Sequence, residues 1–380
     1  MTKALGIGVI GCGNISAAYF RLAPLFRGLE MRACTDINMA AAEARAQEFG
    51  VRAEGMDALL ADPDVDVVIN LTIPDAHYGV TLQALEAGKH VYSEKPFVLT
   101  IDEGKRLKQI ADARGLRVGS APDTFLGGAH QLARKLVDDG AVGTVTSGTA
   151  HVMSHGMEMW HPNPGFFFLP GAGPVLDVGP YYVANLINLI GPVKRVAALA
   201  NTATPTRRVT AEGPLKGQDI PVRTPTTIHA LLEFASGAAV TLGASWDVWG
   251  HGHRPMELYG TDGALIVPDP NWFGGKVELV RPGKPAEGVP MWDHPFAVPN
   301  DVRPTASFAN YRTAGLADMA LAIIEGREAR CGLDRALHGI DVMTSILRSG
   351  ETGAFVDLTT TCTRPEPLGP DAARALLVSP

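Results

Sequence analysis

The sequence predicts two dissimilar domains: an α/β domain with a doubly wound parallel sheet over residues 1–122, then an α+β domain with a large, mostly antiparallel open sheet over residues 123–380. Three observations predict this. Short, continuously apolar runs alternate with amphipathic stretches through the first 120 residues, the pattern of strands buried on both faces and covered by helices. After Ser120 the runs lengthen and alternate in polarity, as strands with one wet face do. A chain of 380 residues has room for two domains of ordinary size.

The strand runs of the first region are LGIGVI (5–10), MRACT (31–35), VDVVINL (65–71), HVY (90–92) and LRVG (116–119). Helical spacing of apolar residues fills the gaps at 15–26, 38–49, 76–87 and 101–114. Thr100 followed three residues later by Glu103 forms a capping box. Gly88 stands where a helix ends in a left-handed residue. Successive β-α-β units imply right-handed crossovers and hence one parallel sheet. In the second region a helix at 124–138 precedes the strands TVTSGTAHVM, TIHALLEF, AAVTLGASWDVW and KVELV. Turns are marked at Ser236-Gly237 and Thr261-Asp262-Gly263. Helices at 308–325 and 333–349 close the pattern, and the Pro-bearing stretches 201–227 and 281–304 are expected to be surface loops.

Composition narrows the class of partner. A net charge of −7 offers no electrostatic attraction to nucleic acid or an anionic membrane. No apolar run approaches the roughly 18–20 residues of a membrane span. The first strand starts almost at Met1, which leaves no room for a signal peptide. Cys12, Cys34, Cys331 and Cys362 form no C-x-x-C pair, which fits a reducing compartment. A cytoplasmic protein is expected.

Gly11-Cys12-Gly13-Asn14-Ile15-Ser16 follows the first strand directly. Gly11 permits a tight turn, and Gly13 lets the amides of Asn14 and Ile15 approach a pyrophosphate at a helix N-terminus. Ser16 is small enough for the helix to pack on the strand. Asp36 ends the second strand, about 20 residues further on, where a carboxylate accepts from a ribose 2′-hydroxyl and repels a 2′-phosphate. Ile37-Asn38 supplies no cation for such a phosphate. A Rossmann-type site for NAD is therefore expected, with NADP disfavoured.

Ligands of open α/β sheets sit outside the carboxyl ends of the strands. The loop Thr72-Ile73-Pro74-Asp75, the helix start at His77, and Glu94-Lys95-Pro96 after HVY all fall there. The segment TIPDAHYGVTLQALEAGKHVYSEKPFVLT resembles the signature of the glucose–fructose oxidoreductase, inositol dehydrogenase and rhizopine catabolism (Gfo/Idh/MocA) family. GAGPVLDVGPYYVANLINLIGPVKRV, NYRTAGLADMALAIIEGREAR and ALHGIDVMTSILRSGETGAFV continue the likeness across roughly residues 4 to 358. The resemblance implies that Lys95, beside Glu94, contacts a substrate hydroxyl and the nicotinamide ribose. It implies that Asp177 is the aspartate of a D-x-G-x-H motif, and that Tyr181 replaces that motif's acid/base histidine. Ala184 stands where many members carry a supporting aspartate, and APDTF replaces a common N-x-R, leaving Asp123 and Thr124 as substrate contacts. A dimer or tetramer through the open sheet is also implied.

Side-chain chemistry agrees with these roles. If 176–189 is one helix, Asp177 and Tyr181 share a face near its N-terminus, although Asp177 would also serve as a simple N-cap and Tyr182 could face the site instead. A free phenol, with a pKa of about 10, is a poor base at neutral pH, and a nearby ammonium favours its ionised form. Lys95 and Tyr181 are therefore expected to share proton transfer while Asp177 orients the hydroxyl. The cluster His151, His155, Glu158, Trp160 and His161 matches no zinc-helix spacing, so no metal is expected. Trp160 is expected to stack on a sugar ring and His161 to donate to it, while His251 and His253 read as loop residues. The resulting expectation is an NAD-dependent oxidoreductase acting on a secondary alcohol of a sugar, cyclitol or sugar derivative. A non-catalytic dinucleotide sensor and a redox-assisted glycosidase are the alternatives.

Overall fold

The computed structural model describes residues 4–304 and 306–378. Its first sheet contains β1 (Leu5–Ile10), β2 (Leu29–Thr35), β3 (Arg52–Ala53), β4 (Val67–Asn70), β5 (His90–Ser93) and β6 (Val118–Ser120). All are parallel, in the order β3-β2-β1-β4-β5-β6. The helices between them are α1 (Ser16–Leu22), α2 (Met39–Phe49), α3 (Met56–Ala61), α4 (Pro74–Glu86) and α5 (Ile101–Arg114). β4 is wholly buried and Val91 and Tyr92 of β5 are inaccessible, which explains their unbroken apolar runs. β3 and α3 were not expected, because two residues of strand carry no periodicity to read. The first helix is shorter than its apolar spacing predicts. Pro24 lacks the amide needed to continue it, and the chain tightens into a 3₁₀ turn at Ala23–Leu25.

The second sheet draws on β7 (Val145–Met153), β8 (Val193–Asn201), β11 (Thr227–Phe234), β12 (Ala239–Ser245), β13 (Met256–Gly260), β14 (Ala264–Val267), β15 (Glu278–Val280), β16 (Glu287–Gly288) and β19 (Val356–Asp357). Its order is β16-β15-β14-β13-β7-β12-β11-β8-β19, antiparallel throughout except for the β12–β7 pair. The first stretch expected to be a loop carries a small ribbon of its own, β9 (Thr206–Arg208) with β10 (Asp219–Pro221), and at the end of the second β17 (Asp301–Val302) pairs with β18 (Ser307–Phe308) just beyond it. α6 (Gly128–Asp138), α8 (Gly179–Ile190) and α10 (Leu333–Thr352) cover one face of the sheet. On the other face Leu199 is 76% exposed and Leu231 is 54% exposed.

Three further helices are α7 (Gly173–Asp177), α9 (Ala314–Glu325) and α11 (Pro370–Leu376). α9 and α11 return to the first domain: Ala314, Leu316, Met319 and Leu376 share a core with Phe26, Tyr92 and Ile69. Backbone bonds from Ser120 N to Cys331 O (3.0 Å) and Arg27 N to Leu376 O (2.8 Å) fasten them there. No helix among the described residues is long and apolar enough to cross a membrane.

Candidate active site

The strand order reverses between β1 and β4, so a crevice opens at the carboxyl edge between their loops. Gly11 has φ 102°, and a Cβ there would meet the Leu71 carbonyl carbon at 2.6 Å. Gly11 is therefore required by the protein's own packing. Gly13 is different: a Cβ there would meet nothing within 4 Å, so its open side is left for a ligand. No side chain caps the start of α1 at Ile15, beside the exposed Asn14. Asp36 Oδ2 accepts from Cys12 N (2.7 Å) and Oδ1 from Asn38 N (2.8 Å), and Ile37 next to it is fully exposed. This uncapped helix start, open glycine and carboxylate fit a pyrophosphate and a ribose. Sequence reasoning missed Arg45 of α2, whose Nε lies 3.1 Å from Ser16 Oγ and which pairs with Glu48.

On the other side of the crevice Asn70 accepts from the Thr72 hydroxyl (2.6 Å), and Pro74 opens α4. His77 is buried, with Nδ1 2.6 Å from Pro96 O and Nε2 3.0 Å from Thr72 O. Burial holds its pKa below the ordinary value despite both carbonyls. A neutral imidazole carries one N–H, so His77 donates to only one of these two carbonyls. It lies between the Thr72 loop, where cofactor contact was expected, and the Lys95–Pro96 peptide, which is cis. Glu94 accepts from the Tyr19 hydroxyl (3.1 Å) and from Lys95 N (2.8 Å).

Lys95 Nζ donates to Asp177 Oδ1 (2.9 Å) and to Asp177 O (2.6 Å), and lies 5.3 Å from the centre of the Tyr181 ring. Burial alone would lower the lysine pKa, but Asp177, with Tyr181 and Glu94 behind it, raises it instead. The single helix expected over 176–189 is broken at Val178: Asp177 ends α7 and Tyr181 lies in the first turn of α8. Asp177 is not an N-cap, since α8 starts from Val178 with no side-chain cap bond. Tyr182 points elsewhere, donating to Asp269 Oδ1 (3.2 Å). Asp123 was expected to touch substrate, but its Oδ2 accepts from Thr313 N and Gly315 N, both at 3.0 Å. Burial raises its pKa. It caps α9 from a distant loop, and Thr124 beside it is buried with no partner for its hydroxyl among the described residues.

Sequence reasoning also missed Arg312, although its segment was singled out. Its guanidinium carbon lies 5.8 Å from the Tyr181 ring centre and 5.7 Å from that of Trp272. Trp160 and His161 lie on a satellite core formed by Met157, Phe168, Val209, Ile220 and Trp246. The His161 ring meets Trp160, Phe166 and Phe167 edge-on. Neither residue shares a hydrogen bond or ring contact with Lys95, Asp177 or Tyr181 among the described residues. His155 and Glu158 join Arg207 and Asp247 in an ion-pair cluster. His151 stacks on His253 with ring centres 4.0 Å apart. Among the described residues no three His, Cys, Asp or Glu side chains are grouped to hold a metal.

Comparison with known proteins adds independent findings. Residues 5–121 match the family described as "Oxidoreductase family, NAD-binding Rossmann fold", and residues 130–266 match the "GFO/IDH/MocA C-terminal domain". Levoglucosan dehydrogenase of Pseudarthrobacter phenanthrenivorans is 25% identical over 290 residues, covering 69% of this chain and 73% of that protein. The NADP(+)-type scyllo-inositol 2-dehydrogenase of Bacillus subtilis is 24% identical over 74% of this chain and 73% of its own. An uncharacterized oxidoreductase of Schizosaccharomyces pombe is 32% identical, but the match spans only 38% of either chain. The solved apo form of levoglucosan dehydrogenase superposes with a TM-score of 0.81 at 20% identity, covering 95% of this chain and 100% of that one.

Proposed function

Because the chain belongs to the GFO/IDH/MocA family of oxidoreductases, we propose that it is an NAD-dependent dehydrogenase acting on one secondary alcohol of a sugar, cyclitol or sugar derivative. The observation that carries this reading is the meeting of Lys95, Asp177 and Tyr181 at the carboxyl edge of the parallel sheet. Relatives named for levoglucosan, D-xylose and inositol oxidation support the substrate class. Asp36 supports NAD over NADP by disfavouring a 2′-phosphate. The exposed Leu199 and Leu231 support self-association through the open sheet as a dimer or tetramer. Four free cysteines favour a reducing, cytoplasmic setting.

The bound dinucleotide would supply the hydride acceptor, held by the Gly11–Ile15 loop and Asp36. Asp177 keeps the Lys95 ammonium charged and aimed, so that it donates to the substrate oxygen as negative charge develops there. Tyr181 receives the hydroxyl proton, and with Asp177 it fixes the orientation of the reacting carbon. General acid–base assistance of this kind contributes roughly 10²–10⁴-fold.

A panel of sugars and polyols with NAD, followed by NADH absorbance, tests the reading. NADH should form with at least one member, and Lys95→Ala should lower kcat/KM by about 100-fold or more. Hydrolysis without NADH would favour a redox-assisted glycosidase, and cofactor binding without any turnover a sensor. A Lys95→Ala enzyme within a few-fold of wild type would overturn the assigned site.

A further inference from the structure

We propose that Arg312 is a positioning residue of this site, the second cation that allows a tyrosine to work where a histidine would otherwise accept the proton. The inference rests on the dehydrogenase reading and deepens it. Two cations approach the Tyr181 ring, Lys95 at 5.3 Å and Arg312 at 5.8 Å from its centre. A buried phenolate needs such partners, because an uncompensated charge out of water is costly. A histidine accepts a proton without first acquiring negative charge, so it makes no such demand.

The charges facing Tyr181 make Arg312 decisive. Lys95 and Glu94 come from the loop after β5, Tyr19 from α1, Asp177 from the end of α7, Asp123 from the turn before α6, and Arg312 from the turn before α9. Glu94, Asp177 and Asp123 bring three carboxylates to the neighbourhood, against which Lys95 and Arg312 are the two cations set over the Tyr181 ring. Starting from ionised Tyr181, the alcohol's O–H proton would pass to Tyr181 Oη, leaving a neutral phenol, while a bound oxidised nicotinamide would supply the acceptor for the hydride as the alcohol carbon becomes a carbonyl.

The fold holds Arg312 through its side chain and through the backbone beside it. Its Nη2 donates to Asn271 O (2.9 Å) and Asn271 Oδ1 (2.8 Å). The next residue, Thr313, has φ 126°, a backbone region that β-branched residues rarely occupy. Asp123 pins that conformation by accepting from Thr313 N and Gly315 N. Gly315 permits the close approach, since a Cβ there would meet Tyr92 Oη at 2.3 Å and Asp123 Cβ at 2.7 Å. A strained residue locked by a buried carboxylate beside the cation is the arrangement expected where side-chain placement matters more than local stability.

The test compares Arg312→Met with Arg312→Lys. In the neutral variant the rise of kcat/KM with pH should move to higher pH by about one unit, and lysine should bring it back. The same displacement should appear without turnover, in the tyrosinate absorbance of the cofactor-free protein after subtraction of a Tyr181→Phe titration. Arg312→Gln, which keeps an amide donor for Asn271, serves as the neutral variant if methionine disturbs folding. The proposal is overturned if the neutral variant loses activity with its pH profile in place, or if lysine fails to restore the profile. Should no sugar give NADH with the wild type, the dehydrogenase reading fails, while the absorbance titration still decides the role of Arg312.

Discussion

Asp36 shows how one side chain can serve both scaffold and ligand. Its two oxygens accept from Cys12 N and Asn38 N, yet each retains a lone pair toward the crevice. Replacing it by serine removes the charge that repels a 2′-phosphate and leaves a hydroxyl near the loop. Arg45, close by on Ser16 Oγ, is then a cation able to attract that phosphate. Asp36→Ser should lower the ratio of kcat/KM for NAD over NADP by about tenfold or more, measured with one sugar at fixed concentration. An unchanged ratio would mean that Asp36 shapes the loop and does not choose the cofactor. At this scale, residues inside a local motif were legible and residues acting across the chain were not. Gly11, Gly13, Asp36 and Lys95 each follow a strand directly, so the strand's end announces them. Arg312 reaches Tyr181 only through tertiary packing, and no spacing rule joins the two.

Single elements differ in how openly they declare their ends. α5 begins with Thr100 accepting from Glu103 N while Glu103 Oε2 accepts from Thr100 N, and it ends at Gly115 with φ 64°. Both signals are local, so this helix was readable to the residue. Thr100→Ala should cost about 1 kcal/mol, read as a lower unfolding midpoint in urea at an unchanged slope. Loss of less than a few tenths would show that helix packing makes the cap redundant. α8 and α9 were misjudged for the opposite reason. The break at Val178 lets Asp177 turn its own carbonyl toward Lys95 Nζ, and apolar residues on both sides hide it. α9 starts six residues later than its apolar pattern because Asp123, from a distant loop, selects Thr313 as the cap position. In both cases a long-range contact at the site overrode local preference.

The molecule as a whole is closed by three histidines that work only when neutral. His338 Nε2 accepts from Val193 N (3.0 Å), joining α10 to the edge of β8. His294 Nδ1 accepts from Phe296 N (3.1 Å) while Nε2 faces Leu368 O (2.9 Å). His130 Nδ1 meets Asn185 Nδ2 (3.1 Å), with Nε2 against Trp272 O (2.7 Å). Burial is the main cause that lowers each pKa to about 4. A protonated ring could no longer accept these bonds, so burial and hydrogen bonding act in the same direction. The unfolded chain, titrating near 6.5, binds more protons than the folded one between about pH 6.5 and pH 4. Stability from these histidines is therefore complete above about pH 6.5 and is lost as pH falls toward 4, at up to about 1.4 kcal/mol per unit for each. Urea midpoints measured at pH 7, 6 and 5 should fall steeply. His338→Gln, which offers Val193 N an acceptor without a titrating ring, should flatten that fall by about one proton. Parallel curves for the variant and the wild type would show that His338 does not couple acid to the join between α10 and the sheet.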